Sequence, residues 1–302
     1  HLCHNLIKSK HMGMTGRYDA NKNIFRLGPL GCGFAGHWRG QSLCLCSHSR
    51  RIWRTAPLRT GGTGMATGAK LIADIKEKSF GEEALFDGLR FEVPAGQVVA
   101  LIGPSGVGKS TLLRMIGGID PDYEGDILID DLVPADAEVP GFVFQDPRLL
   151  PWETALGNLL AVKPDLADDE GRQLLVNVGL DAAENLRPGE LSGGMQRRVA
   201  LARALAVSSR LLLLDEPFVS IDRKLARELQ ALVASVVDRL GLTVLLVTHD
   251  PYDAAVLADR VITLRGRPVR VVDDMALDTP RAARNADHVA AIVSELDRGM
   301  RE

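Results

Sequence analysis

Between residues 71 and 93 the apolar positions recur at every second residue, first as Leu71, Ala73 and Ile75, then as Leu89, Phe91 and Val93 set between Arg90 and Glu92. Period two predicts two half-buried strands. Pro94, Ala95 and Gly96 turn the chain into the unbroken apolar run Val98 to Ile102, a third strand, and Leu112, Leu113, Met115 and Ile116 then follow at helical spacing. Short strands are expected at Ile127 to Ile129 and Phe142 to Phe144. From Trp152 to Leu191 the pattern turns helical, with breaks at Pro164 and Pro188, and a further helix runs through Ala206. Leu211 to Leu214 reads as a strand buried on both faces. Asp222 caps a helix whose stripe is Leu225, Leu229, Leu232, Val233, Val236 and Leu240, and Gly241 stops it. Leu242 to Val247 is another buried strand, delivering Thr248, His249 and Asp250 to its end. Val261 to Leu264 and Val269 to Val272 are late strands, and Ala282 to Leu296 a closing helix.

Residues 1 to about 68 follow none of these patterns. They are expected to be disordered or foreign to the fold. Residues 1 to 70 hold 11 Lys and Arg against the single acid Asp19, whereas the remainder holds 25 basic and 38 acidic residues. Three explanations compete: upstream sequence joined to a start at Met65, which is preferred; a basic targeting peptide carrying Arg50, Arg51, Arg54 and Arg59; or a zinc-binding tail at Cys44, Cys46 and His48. All four cysteines precede residue 50. The cysteine-free body fits a reducing compartment. Its acidity argues against broad nucleic-acid binding. No apolar run approaches the roughly 18 residues of a membrane span, so a membrane role would come through a partner chain.

Candidate chemistry enters with Gly103 to Thr111, GPSGVGKST, between a strand and a helix. Gly103, Gly106 and Gly108 let the backbone curl so that amide N–H groups point inward, with Pro104, Ser105 and Val107 completing the turn. Lys109 reaches the outer phosphates of a nucleotide, Ser110 offers its hydroxyl to Mg²⁺, and Thr111 closes the motif. Asp215, at the end of four leucines, stands where an acid holds Mg²⁺ through water, and Glu216 can orient and deprotonate the attacking water. Together these predict nucleotide triphosphate hydrolysis.

At Leu191 to Arg198, LSGGMQRR, the chain resembles the ATP-binding subunit of an ABC transporter, over about residues 70 to 300. The resemblance implies an α/β P-loop NTPase core with an antiparallel β subdomain and a helical subdomain at about 146–205, the cassette spanning 69–302. By it, Ser192, Gly193 and Gly194 contact the γ-phosphate of ATP held by a second copy. A serine and two glycines opening a helix suit an anion for the same reason as the first loop. Gln145 resembles the glutamine that touches Mg²⁺ and senses the membrane partner. His249 resembles the histidine that contacts the γ-phosphate, Asp222 faces the partner subunit within Ser220–Ile221–Asp222, and Phe80 stands where an aromatic stacks on adenine.

Three positions depart from the family pattern: Met195 in the signature, Arg197 where glutamine is more usual, and Ser220 for alanine. None removes a catalytic group, so an active ATPase is expected. Leu149, Leu150, Pro151 and Trp152, with Thr279, Pro280 and Arg281, are similar to bacterial importers of the nitrate, sulfonate and taurine group. About 50 residues follow His249, too few for an added regulatory domain. The implied assembly is a head-to-tail homodimer on the cytoplasmic face of the inner membrane, hydrolysing Mg²⁺-ATP for a permease and indirectly serving a periplasmic solute-binding protein. A soluble ABC ATPase outside transport is the alternative.

Overall fold

The computed structural model describes residues 68–207 and 210–301, with the backbone of 16–19 and 24–27. Contacts divide the chain into two units, His1–Gly64 and Met65–Glu302. In the first, β1 (Gly16–Asp19) pairs antiparallel with β2 (Ile24–Leu27), Gly16 opposite Leu27. No strand was expected there. Tyr18, Ile24 and Phe25 favour extended backbone, and two asparagines lie in the four residues between the strands, so the pairing is local. The zinc-tail and targeting readings of the N-terminal arm fall outside the described residues.

In the second unit the two alternating segments form β3 (Leu71–Phe80) and β4 (Glu83–Val93), joined in register from Phe80–Glu83 to Leu71–Val93. After β5 (Val98–Ile102), the phosphate-loop motif and α1 (Lys109–Ile116), strand β6 (Glu124–Ile129) pairs with the other edge of β3, making a three-stranded antiparallel sheet β4-β3-β6. The chain continues through β7 (Gly141–Val143), then α2 (Ala155–Leu160), α3 (Asp168–Asn177) and α4 (Gly193–Ala206). It returns as β8 (Leu211–Asp215), α5 (Arg223–Leu240), β9 (Thr243–Val247), α6 (Pro251–Leu257), β10 (Arg260–Arg265), β11 (Arg270–Ala276) and α7 (Ala286–Arg301). The second sheet runs β11-β10-β5-β9-β8-β7, parallel except at β11.

Every residue of β5, β8 and β9 is buried, which is what a continuous apolar run requires. Alternate side chains serve opposite faces. Val99, Leu101, Leu211, Leu213, Leu245 and Val247 join α1 and the antiparallel sheet in one core, while Val98, Ala100, Leu212, Leu214, Val244 and Leu246 join the helices in the other.

Two elements differ from expectation. The closing helix starts at Ala286 rather than Ala282 and runs to Arg301, after a 3₁₀ turn at Arg281–Ala283. Arg284 is extended, its side chain donating to Thr279 O and Ala255 O, and the Asn285 carboxamide accepts from the His288 amide as a cap. A helix absent from the sequence reading, α6, follows His249, nucleated by the Asp250 cap and by Pro251 in its first turn.

Candidate functional site

The tips of three adjacent parallel strands build the site. β5 runs into Gly103, and α1 begins at Lys109. Between them Gly106 and Gly108 adopt φ of 79° and 107°, backbone that side-chain-bearing residues rarely take. Lys109 is only 4% exposed, and its ammonium donates to Gly103 O at 2.8 Å and Pro104 O at 3.0 Å. Burial pushes its pKa down, opposed by the Glu216 and Asp215 carboxylates. Ser110 Oγ donates to Asp215 Oδ1 at 2.8 Å across 105 residues of sequence. Burial raises the Asp215 pKa, with that hydrogen bond pulling the other way.

Register brings the remaining groups to the same edge. Asp215 lies opposite Val247, the Glu216 amide donates to Val247 O at 2.9 Å, and the Thr248 amide to Leu101 O at 3.2 Å. Glu216 holds φ at 46°, a costly conformation of the kind concentrated at functional sites, and its Oε2 lies 3.2 Å from His249 Nδ1. Behind His249, buried Asp253 accepts from Thr248 Oγ1 at 2.7 Å and from Gln230 Nε2 at 2.6 Å.

A cleft of about 380 Å³ opens beside Ser110 and Asp215, lined also by Arg114, Phe144, Gln145 and Arg197. Gln145 is exposed, just beyond β7. The structure thus gathers Lys109, Ser110, Gln145, Asp215, Glu216 and His249. Of these, Ser110, Gln145 and Asp215 line the cleft, as does Ser220, while Glu216 and His249 pair with each other at the neighbouring strand ends. Ser192 is exposed and caps α4 through the Met195 amide, with Gly193 open and Gly194 so close to α5 that a Cβ would meet Leu225 Cδ1 at 2.8 Å. Asp222 caps α5, accepting from the Lys224 and Leu225 amides at 3.0 Å. Phe80 ends β3, 57% exposed, with Lys78 Nζ 4.9 Å from its ring centroid.

Among the described residues no cluster of three or more His, Cys, Asp or Glu forms a protein-only metal cage. The Ser110 and Asp215 oxygens in an open cleft nevertheless suit Mg²⁺, which keeps several waters and takes few protein ligands beside substrate phosphates. Two residues escaped the sequence reading of the site. Arg197, marked there only as a departure, donates to Gln145 O, Pro217 O and Val219 O. Asp253 carried no local signal, since its segment was not read as a helix and its partner Gln230 lies 23 residues away.

A model of the ABC transporter family matches residues 86–219. An aliphatic sulfonates import ATP-binding protein, SsuB 1 of Xanthomonas axonopodis pathovar citri, is 40% identical over 227 residues, covering 72% of this chain and 90% of that protein. SsuB 2 of Pseudomonas aeruginosa is 41% identical over 222 residues, covering 72% and 80%. Among solved structures, a dimeric ATP-binding cassette in a post-hydrolysis state with ADP and Pi superposes with a TM-score of 0.60 at 30% identity, covering 70% of this chain and all of that one. A cassette of a Clostridium perfringens ABC transporter complex gives 0.62 at 25% identity, covering 77% and 97%.

Proposed function

The chain belongs to the ABC transporter family as an ATP-binding, ATP-hydrolysing subunit, and on that footing we propose that it powers import of an aliphatic sulfonate or similar small solute through a separate membrane permease. The solute class rests on relatives named for aliphatic sulfonate import that align over 80 to 90% of their own length. The observation that carries the hydrolytic reading is the Glu216–His249 pair at 3.2 Å, beside the Lys109 loop and at the ends of paired strands.

In this reading the N–H groups of residues 105–111 and the Lys109 ammonium hold the β- and γ-phosphates, the lysine exchanging its loop carbonyls for phosphate oxygens. Phe80 stacks on the adenine. Glu216 accepts a proton from the attacking water as the new O–P bond forms and the bond from γ-phosphorus to the bridging oxygen breaks, leaving ADP and phosphate. His249 orients Glu216 and hydrogen-bonds the γ-phosphate. Ser110, Gln145 and Asp215 are the residues that would hold Mg²⁺, which supplies positive charge to the phosphate oxygens. Ser192, Gly193, Gly194 and Asp222 act on the nucleotide of a second copy; Ser192 and Asp222 cap α4 and α5, and Ser192 and Gly193 are exposed at the start of α4. The permease docks near Gln145 and the exposed Trp152 on the cytoplasmic side.

Glu216→Gln is the test. The variant should hydrolyse ATP at least about a hundredfold more slowly while accumulating an ATP-bound dimer in size-exclusion chromatography. Unchanged turnover would remove Glu216 as the base, and a monomer under saturating ATP would remove the shared site.

A further inference from the structure

We propose that Arg197 is a positioning residue for hydrolysis: one guanidinium that holds the Gln145 loop and the loop after Glu216 together, so that the two sides of the cleft move as one body. The proposal rests on the roles given above to Glu216 and Gln145.

The guanidinium donates through Nη1 to Gln145 O at 3.1 Å and Pro217 O at 3.0 Å, and through Nη2 to Val219 O at 2.9 Å. All three acceptors are main-chain carbonyls, so what the arginine fixes is the path of the backbone. They lie on loops leaving β7 and β8, neighbouring parallel strands, while Arg197 itself projects from α4, the helix Ser192 caps. Three parts of the expected machinery meet at one side chain.

The backbone it holds is strained. Glu216 and Ser220 sit at φ of 46° and 61°, flanking the two carbonyls that Arg197 grips. Left-handed backbone is costly at a residue other than glycine and persists only where its surroundings enforce it. The Gln145 side has the same character: Arg148 is at φ 47°, and Arg203, six residues along the same helix, donates to Pro147 O and Arg148 O at 2.8 Å. α4 therefore grips the Gln145 loop at two points, and Arg197 extends that grip to the loop carrying Glu216. Burial pushes the guanidinium pKa down, with Asp146 opposing, and the three carbonyls offset that loss of water. The glutamine usual at this position carries a single amide nitrogen on a shorter stem and cannot reproduce the fork. Displacing the Gln145 loop, the one facing a membrane partner, then moves the main chain next to Glu216.

The test uses the full chain and its own ATPase rate. Arg197→Met and Arg197→Gln should lower kcat about tenfold or more, since small misplacements of reacting groups are that costly, while affinity for a fluorescent ATP analogue stays within about twofold. In a cycle with Gln145→Ala, the glutamine's contribution to kcat should largely vanish in the Arg197→Met background, because both act through one loop. Rates within about twofold of wild type, or additive losses that follow nucleotide affinity and melting temperature, would overturn the proposal. So would failure of both variants to fold, which assigns the arginine to stability. Glu216→Gln, measured alongside, separates an error about the base from an error about Arg197.

Discussion

Asp253 is 4% exposed and hydrogen-bonded to the threonine that precedes His249, yet burial pushes its pKa up to about 6, Asp250 adding to the shift while Thr248, Gln230 and His249 oppose it. A folded-state value above the ordinary carboxylate value of about 3.9 means that the native state binds the proton more tightly than the unfolded chain. The resulting stabilisation is complete below about pH 4 and is lost as pH rises through about 6. Asp253→Asn cannot ionise, so its unfolding free energy relative to wild type should rise by on the order of 2 kcal/mol between pH 4.5 and 7.5. Urea titrations at the two pH values measure this; a difference that does not change with pH would show an ordinary titration. At this scale the glycines of residues 103–108, Lys109, Ser110, Asp215 and Glu216 were legible from sequence, because a phosphate loop and a strand-end acid are read within a few neighbouring residues. Asp253 and Arg197 were not. Their significance lies in partners 5 to 52 residues away, and no local pattern records such a distance.

The strands and helices were read from periodicity, and the departures have local causes. Asn285 caps the last helix four residues later than the apolar stripe suggested, and Asp250–Pro251 starts a helix too short for a stripe to mark. Packing between elements is a separate matter. Gly141 opens β7, where an added Cβ would sit 2.6 Å from Ala204 O of α4 and 3.1 Å from Leu212 Cδ1. The carbonyl belongs to a helix and cannot step aside as a flexible side chain would. Gly141→Ala should therefore cost about 1–3 kcal/mol of stability, read from the denaturation midpoint, with the ATP affinity of the folded fraction retained. A neutral result would mean that α4 and β7 can separate freely, contrary to the tie described above.

For the molecule as a whole, no helix among the described residues is long and apolar enough to cross a membrane. The proposed transport role is tested by looking for a second, membrane-spanning chain. Affinity-tagged protein, produced with the genes that neighbour its own, should co-purify from detergent-solubilised membranes with a membrane-spanning polypeptide, and Trp152→Ala should weaken that recovery. Trp152 is exposed, seven residues after Gln145, on the surface proposed above for docking. Recovery without any membrane protein would favour the ATPase outside transport.

Residue order alone determined the buried strands and the longer helices of the second unit, where the phosphate loop lies, and which acids end the buried strands. Each of those depends on backbone preferences and apolar spacing within one element. Folding decided what faces what: Ser110 against Asp215, His249 against Glu216, and Arg197 across two loops. Such pairings depend on strand order and register, and these are settled only when the two faces of the parallel sheet are buried together.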